Sequence, residues 1–194
     1  GHDHQRAALD AGAALVIAER GRATDDARAD AVEVDDTLLA WGRVARAEME
    51  VNYLGLLRLA QAFGPALKGR SADGVAHATA WVNLLSIYAL ANFPPHGTYS
   101  ASKAAAYSLA QCLRAEMRPA GIRVLNVFPG PIDDEWNQQM PPPKLAPAAL
   151  ASAVVKALRE GLEDVYPGDV AQEWLERWRD NPKVLERELS LGGG

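Results

Sequence analysis

Tyr99 and Lys103 stand four residues apart in the run Gly97-Thr98-Tyr99-Ser100-Ala101-Ser102-Lys103-Ala104-Ala105-Ala106. On an α-helix, positions i and i+4 share a face, so the phenol and the ammonium project together. A free tyrosine has a pKa near 10 and trades protons poorly at neutral pH. A cation beside it favours the phenolate, which predicts a Tyr99 pKa drawn down toward the range of a working general acid or base. The small residues around the pair leave room for another body to approach the helix closely. Tyr-x-x-x-Lys also arises by chance in many helices, so its place in the chain decides how much it means. Ser86 lies thirteen residues earlier, closing the apolar run Trp81-Val82-Asn83-Leu84-Leu85, which reads as a strand. In a parallel sheet the crevice at the carboxyl ends of the strands gathers the chemistry. A Ser86 hydroxyl there can hydrogen-bond the oxygen on which Tyr99 acts.

The flanking segments predict the elements that would hold these groups. Ala13–Ala18 reads as a short buried strand and Ala31–Val34 as a second, with the polar loop Arg22–Asp30 between them. From Leu38 to Leu67, apolar residues recur at three- and four-residue steps, predicting a helix that breaks across Gly69–Gly74. Thr98–Met117 predicts a second helix with Leu109, Leu113 and Met117 inward, stopped by Pro119-Ala120-Gly121. Ile122–Phe128 is a β-branched, apolar strand ended by Pro129-Gly130. Pro131–Pro147 is a polar, proline-rich loop of a length that usually marks function or mobility. Trp136 and Met140 within it are equally readable as pocket lining, as packed, or as exposed. Pro147 suits the first turn of a helix with Leu150, Val154, Ala157 and Leu158 inward, ending at Gly161. Asp164–Tyr166 reads as a last strand, Asp169 as the cap of a helical region through Arg179, and Pro182 as the start of another turn or two.

Strands alternating with longer helices predict an α/β domain with a parallel sheet covered on both faces. Val82–Leu85 and Val124–Val127 are mostly apolar at successive positions, as central parallel strands are.

Composition narrows the function. A chain of 194 residues suits one domain, and 48% apolar with 23% charged residues is the profile of a soluble globular protein. The net charge of −5 and the lack of a basic cluster argue against a nucleic-acid partner. No apolar run reaches the roughly 18 residues that a membrane span needs, and the polar N-terminus shows no signal peptide, so cytoplasm is the expected location. The single cysteine, Cys112, cannot form an internal disulfide and is expected as a small core residue. His2-Asp3-His4 reads as a frayed end rather than a metal site, Gly192-Gly193-Gly194 as a flexible tail, and no metal is expected.

Ser86, Tyr99-Ser100-Ala101-Ser102-Lys103 and Pro129-Gly130 together resemble the short-chain dehydrogenase/reductase family. Glu50-Val51-Asn52-Tyr53-Leu54-Gly55 is similar to the helix that carries that family's catalytic asparagine. The resemblance runs from about Arg46 to Tyr166. It implies a Rossmann-like three-layer α/β fold with a mainly parallel sheet, in which part of the N-terminal cofactor half is missing. It implies hydride transfer between NADP or NAD and an alcohol/carbonyl substrate. Tyr99 would be the general acid/base, Lys103 would lower its pKa and hold the nicotinamide ribose, and Ser86 would orient the substrate oxygen. Asn52 would hold a water linking Lys103 to solvent, a role that competes with a solvated or back-bonded asparagine. Pro129 and Gly130 would lie beside the nicotinamide, with Ile132 offering a backbone contact. The family's helices matching Arg46–Leu67 and Thr98–Met117 commonly pair subunits, which implies a homodimer or homotetramer. The single domain would divide into an atypical cofactor-side segment (1–36), a substrate-side loop (131–147) and a C-terminal helical region (169–190).

The sequence also departs from the family. The glycine-rich turn T-G-x-x-x-G-x-G, whose amides cradle the cofactor pyrophosphate, has no counterpart, and neither has the N-N-A-G strand end. Two placements of the start compete. Val16–Gly21 could stand for the N-N-A-G strand, which suits the spacing to Asn52. Alternatively, Leu9–Ala13 and Ala14–Arg20 would be the end of the first helix and the second strand, with Ala31–Asp35 as the third and no fourth. Glu19 or Arg20 would then approach the adenosine ribose, and an arginine there would favour NADP. Asp133-Asp134-Glu135 is acidic where the family often has a hydroxyl, and is expected to face solvent. The rival readings are a module that keeps the fold but binds no dinucleotide, and a pure assembly protein using the two helices.

Overall fold

The computed structural model describes residues 16–19, 31–34, 37–73 and 80–191. The readings made for His2-Asp3-His4, residues 13–15, the Arg22–Asp30 loop, the side chains of Glu19 and Arg20, and the triple-glycine tail lie outside the described residues.

In chain order the elements are β1 (Val16–Glu19), β2 (Ala31–Val34), α1 (Thr37–Met49), a π-helical segment (Glu50–Leu54), α2 (Gly55–Asp73), β3 (Ala80–Leu84), α3 (Gly97–Met117), β4 (Arg123–Val127), α4 (Pro147–Glu160), β5 (Asp164–Val165), α5 (Asp169–Asp180) and α6 (Pro182–Leu191). Every strand pairing among the described residues is parallel, as the alternation of strands and helices predicts. β1 pairs with β2, while β3, β4 and β5 form a separate ladder with β4 in the middle.

The β-branched and apolar residues of β4 explain its central place. Val124, Leu125 and Val127 are buried, on faces packed by Leu113, Met117 and Ile122 and by Leu150, Val154 and Ala157. The expectation that β3 is equally covered is corrected. Val82 and Leu84, two residues apart on one face, are exposed, whereas Asn83 and Leu85 point to the buried face.

A polar ladder pins the register of these strands. Asn83 is level with Asn126, and Asn126 with Asp164. Trp81 Nε1 donates to Asn83 Oδ1 at 2.7 Å, Asn83 Nδ2 to Asn126 Oδ1 at 2.9 Å, and Asn126 Nδ2 to Asp164 Oδ1 at 3.2 Å. Arg114 of α3 completes it, donating to Asp164 Oδ1 at 2.5 Å and to the Glu163 carbonyl at 2.8 Å. Buried amides need partners, and a one-residue slip would turn them to the opposite face.

The helices differ from expectation in four ways. The predicted helix Leu38–Leu67 is an α–π–α run, and α2 continues through Gly69 to Asp73 instead of breaking there. A lone exposed glycine costs a helix only about 1 kcal/mol, too little to end one. Gly168, with φ 89°, is the N-cap of α5, and Asp169 is its first helical residue, where a negative charge suits the helix dipole. Cys112 is exposed, not core: the buried stripe of α3 runs through Ala106, Ala110, Leu113 and Met117, and Cys112 lies off it. Gly121 and Gly161 both stop their elements as predicted, each adopting the left-handed φ of 71° that a side chain disfavours.

The loop after β4 is closed at its base. Ile132 and Leu145 form a parallel bridge, with Leu145 N donating to the Pro131 carbonyl at 2.8 Å and Asp133 N to that of Leu145 at 2.9 Å. The acidic residues inside it do not all face solvent idly. Asp133 pairs with Lys144 at 3.2 Å, and Asp134 Oδ1 accepts from Asn137 N at 3.0 Å and Nδ2 at 2.8 Å.

Candidate active site

Two strand ends and two facing helices bring the predicted residues together. Beyond β3 and β4 the backbones stay paired, with Leu85 N donating to the Val127 carbonyl at 2.8 Å and Ile87 N to that of Pro129 at 3.0 Å. Ser86 therefore sits beside Pro129-Gly130. It is buried, extended in backbone, and caps a short 3₁₀ turn by accepting from Tyr88 N at 3.2 Å. Tyr99 lies in the first turn of α3 and Lys103 one turn on. Lys103 Nζ is 5.5 Å from the centre of the Tyr99 ring and donates to the Leu84 carbonyl at 3.1 Å. Ser86, Tyr99, Lys103, Pro129, Gly130 and Ile132 all line one cavity of about 290 Å³ at the carboxyl ends of β3 and β4. Met140 of the closed loop joins them; the side chain of Trp136 is outside the described residues.

Asn52 sits in the π-helical segment, a geometry often found at functional positions. It is neither merely solvated nor back-bonded: its Nδ2 donates to Ser102 Oγ at 2.9 Å, and Ser102 Oγ donates to the Tyr99 carbonyl at 2.7 Å. Asn52 and Lys103 line a second cavity of about 300 Å³ on the open face of β3. The small residues of α3 have an internal use. Ser100 and Ser102 are fully buried, and the bond from Asn52 draws the π-helical segment against α3.

The electrostatics correct one expectation. The Tyr99 pKa is pushed up, not down: burial is the largest cause, the Ser86 hydroxyl opposes it, and the Glu48 carboxylate adds to it. Burial holds Lys103 below its ordinary value. An ammonium near the ring, with its proton directed to a carbonyl, does not outweigh the desolvation of the phenol.

Glu48, Tyr88, His96 and Asn137 also line the main cavity and were not singled out from the sequence. The Tyr88 ring meets Tyr99 edge-on at 6.3 Å, stacks on Phe93 at 5.3 Å and tilts against Trp174 at 5.4 Å. Glu48 could have been found: it stands one helical turn before Asn52, as Tyr99 stands one turn before Lys103.

The profile of the family described as short chain dehydrogenase matches residues 22–144, more than half of the chain. The chain belongs to the short-chain dehydrogenase family. A short chain dehydrogenase from Burkholderia cenocepacia, solved in complex with NADP, is 36% identical with a TM-score of 0.69, covering 95% of this chain and 72% of that one. A chanoclavine-I dehydrogenase of Penicillium roqueforti is 33% identical over 156 residues, 78% of this chain and 54% of its own length. A mouse dehydrogenase/reductase, SDR family member 7B, is 35% identical over 97 residues, 50% of this chain and 27% of its own length. The chain thus spans about half or less of these curated relatives.

Its Rossmann-like α/β fold is that of the short-chain dehydrogenases. In the 3-2-1-4-5-6 strand order of such folds, the second and third strands are neighbours, whereas the fourth adjoins the first and fifth. Among the described residues β1 pairs with β2 and not with β3, the neighbours expected under the second placement of the start. Among the described residues, no helix is long and apolar enough to cross a membrane.

Proposed function

We propose that this short-chain dehydrogenase interconverts an alcohol and a carbonyl using NADP or NAD, with Tyr99 as the general acid/base. The observation that carries the reading is the convergence of Ser86, Tyr99 and Lys103 on one cavity beside Pro129-Gly130. Ser86 Oγ, at a strand end, positions the substrate oxygen. Tyr99 gives its proton to that oxygen in reduction and takes one back in oxidation. A phenol kept protonated by burial suits the acid role first. Lys103 holds the nicotinamide ribose, and Pro129, Gly130 and the Ile132 backbone bound the nicotinamide side. The hydride chemistry belongs to the cofactor when bound. Asn52 and Lys103 share a cavity with room for a water, which would carry protons between Lys103 and solvent. Residues 131–147 close the substrate side of the single domain.

The nicotinamide side fits these residues, while the glycine-rich phosphate turn has no counterpart among the 194 residues. The rival reading is a module of the same fold that binds no dinucleotide. Titration of the chain with NADPH and with NADH, followed by nicotinamide fluorescence, separates the two. Saturable binding of either, with turnover lost in Tyr99→Phe, is the expected result. No binding of either at millimolar concentration overturns the dehydrogenase reading.

A further inference from the structure

Glu48 Oε2 is buried and, among the described residues, has no hydrogen-bond partner. The carboxylate lines the main cavity and its field reaches the Tyr99 phenol. Lys103, which lines the same cavity, is directed elsewhere, donating to the Leu84 carbonyl at 3.1 Å. A desolvated, unmatched carboxylate oxygen is among the costlier groups a fold can retain, and it calls for a partner. Among the described residues nothing supplies that partner, and the Glu48 side chain lines the space where a substrate would sit. The same space is walled by the rings of Tyr88 and Tyr99, whose centres are 6.3 Å apart.

We propose that Glu48 makes this site selective for carbonyl or alcohol substrates that carry a protonated amine, with the ammonium docked on the Glu48 carboxylate against the Tyr88 and Tyr99 rings. A charged donor forms the stronger class of hydrogen bond with a carboxylate, and aromatic faces attract the same cation. A neutral substrate of equal shape leaves the carboxylate unpaired, and sites that must satisfy a buried polar group reject such analogues. The carbonyl end of this substrate class rests on the dehydrogenase reading; the ammonium end stands on Glu48 alone.

The test compares N-methyl-4-piperidone, cationic at neutral pH, with the neutral 4-methylcyclohexanone. Binding to the full chain is measured by NMR titration with and without NADP, independently of turnover. The cation should bind about tenfold more tightly or better, and Glu48→Gln should bring the ratio to about one, while Glu48→Asp, which keeps the charge, retains part of it. A ratio near one in the wild type, a ratio untouched in Glu48→Gln, or no binding of the cation at millimolar concentration overturns the proposal. The wild-type ratio decides even if the glutamine variant does not fold. Turnover that fails while the ratio holds counts against the dehydrogenase reading only; a missing ratio with turnover intact counts against the ammonium site only.

Discussion

Asn52 Nδ2 donates to Ser102 Oγ at 2.9 Å, joining the π-helical segment to α3 between Tyr99 and Lys103. This bond fixes the face on which the phenol and the ammonium are presented. Its removal should cost about 1 kcal/mol of stability, the usual net worth of a hydrogen bond. Asn52→Ala and Ser102→Ala should each lower the melting temperature, and the double variant should lose less than their sum. Strict additivity in a thermal double-mutant cycle would show that the bond contributes nothing.

Tyr99→Phe keeps the ring and its packing and removes only the exchangeable proton. Turnover should fall by about 10²-fold to 10⁴-fold, the range for a lost general acid, with nicotinamide binding retained. Steady-state rates read beside cofactor fluorescence check this. A variant with wild-type rates would rule out the phenol as the proton donor.

Alkaline pH should destabilise the fold in a defined window. Burial pushes Tyr88 and Tyr166 each up to about 12. Below pH 10 both are protonated in folded and unfolded chains alike. Between about 10 and 12 the unfolded chain ionises first and binds fewer protons, so stability falls as pH rises. Lys103, whose pKa is lowered by burial, acts in the opposite sense below its ordinary value, and is a single group against these two and Tyr99, which burial also raises. Melting curves followed by circular dichroism from pH 8 to 12 should show the drop, shallower in Tyr88→Phe. A flat profile would contradict it.

Asn126→Leu should be severe for a conservative change in volume. It leaves the buried Asn83 Nδ2 without its acceptor and takes a donor from Asp164. Stranding one buried polar group costs about 1–3 kcal/mol, so urea midpoints should fall clearly. Asn83→Leu combined with Asn126→Leu should recover only part of the loss, because the stranded Asn83 amide is gone but Trp81 Nε1 then loses its acceptor.

The surface of the first long helical run makes it the face through which pairing of copies is expected. Val51, Leu59 and Phe63 are 72%, 51% and 55% exposed, at spacings that put them along one side of the run. Light scattering should find a dimer or tetramer, and Leu59→Asp with Phe63→Asp should shift it toward the monomer. A monomeric wild type would remove the case for pairing through this face.

The chemistry-bearing core was legible because its signals are local. Helical spacing aligns Tyr99 with Lys103, a strand end delivers Ser86, and Pro129-Gly130 ends the next strand. Glycines at 121 and 161 stop their elements because only left-handed backbone continues there. Each of these depends on a few neighbouring residues, so the chain order alone contains them.

What the sequence determined by itself was therefore the element order, the parallel pairing and the meeting of Tyr99, Lys103 and Ser86 at one strand-end cavity. Tertiary structure alone decided the rest. Whether Cys112 is covered, whether Val82 and Leu84 are open, and which way the Tyr99 pKa moves depend on what packs opposite, at separations of many tens of residues. Burial overrode the nearby cation at Tyr99 because desolvation is set by the whole surround, whereas periodicity describes one helix at a time. The spacing of Glu48 to Asn52 is in the sequence, but only the packing of α1 on α3 shows its Oε2 buried with no partner among the described residues.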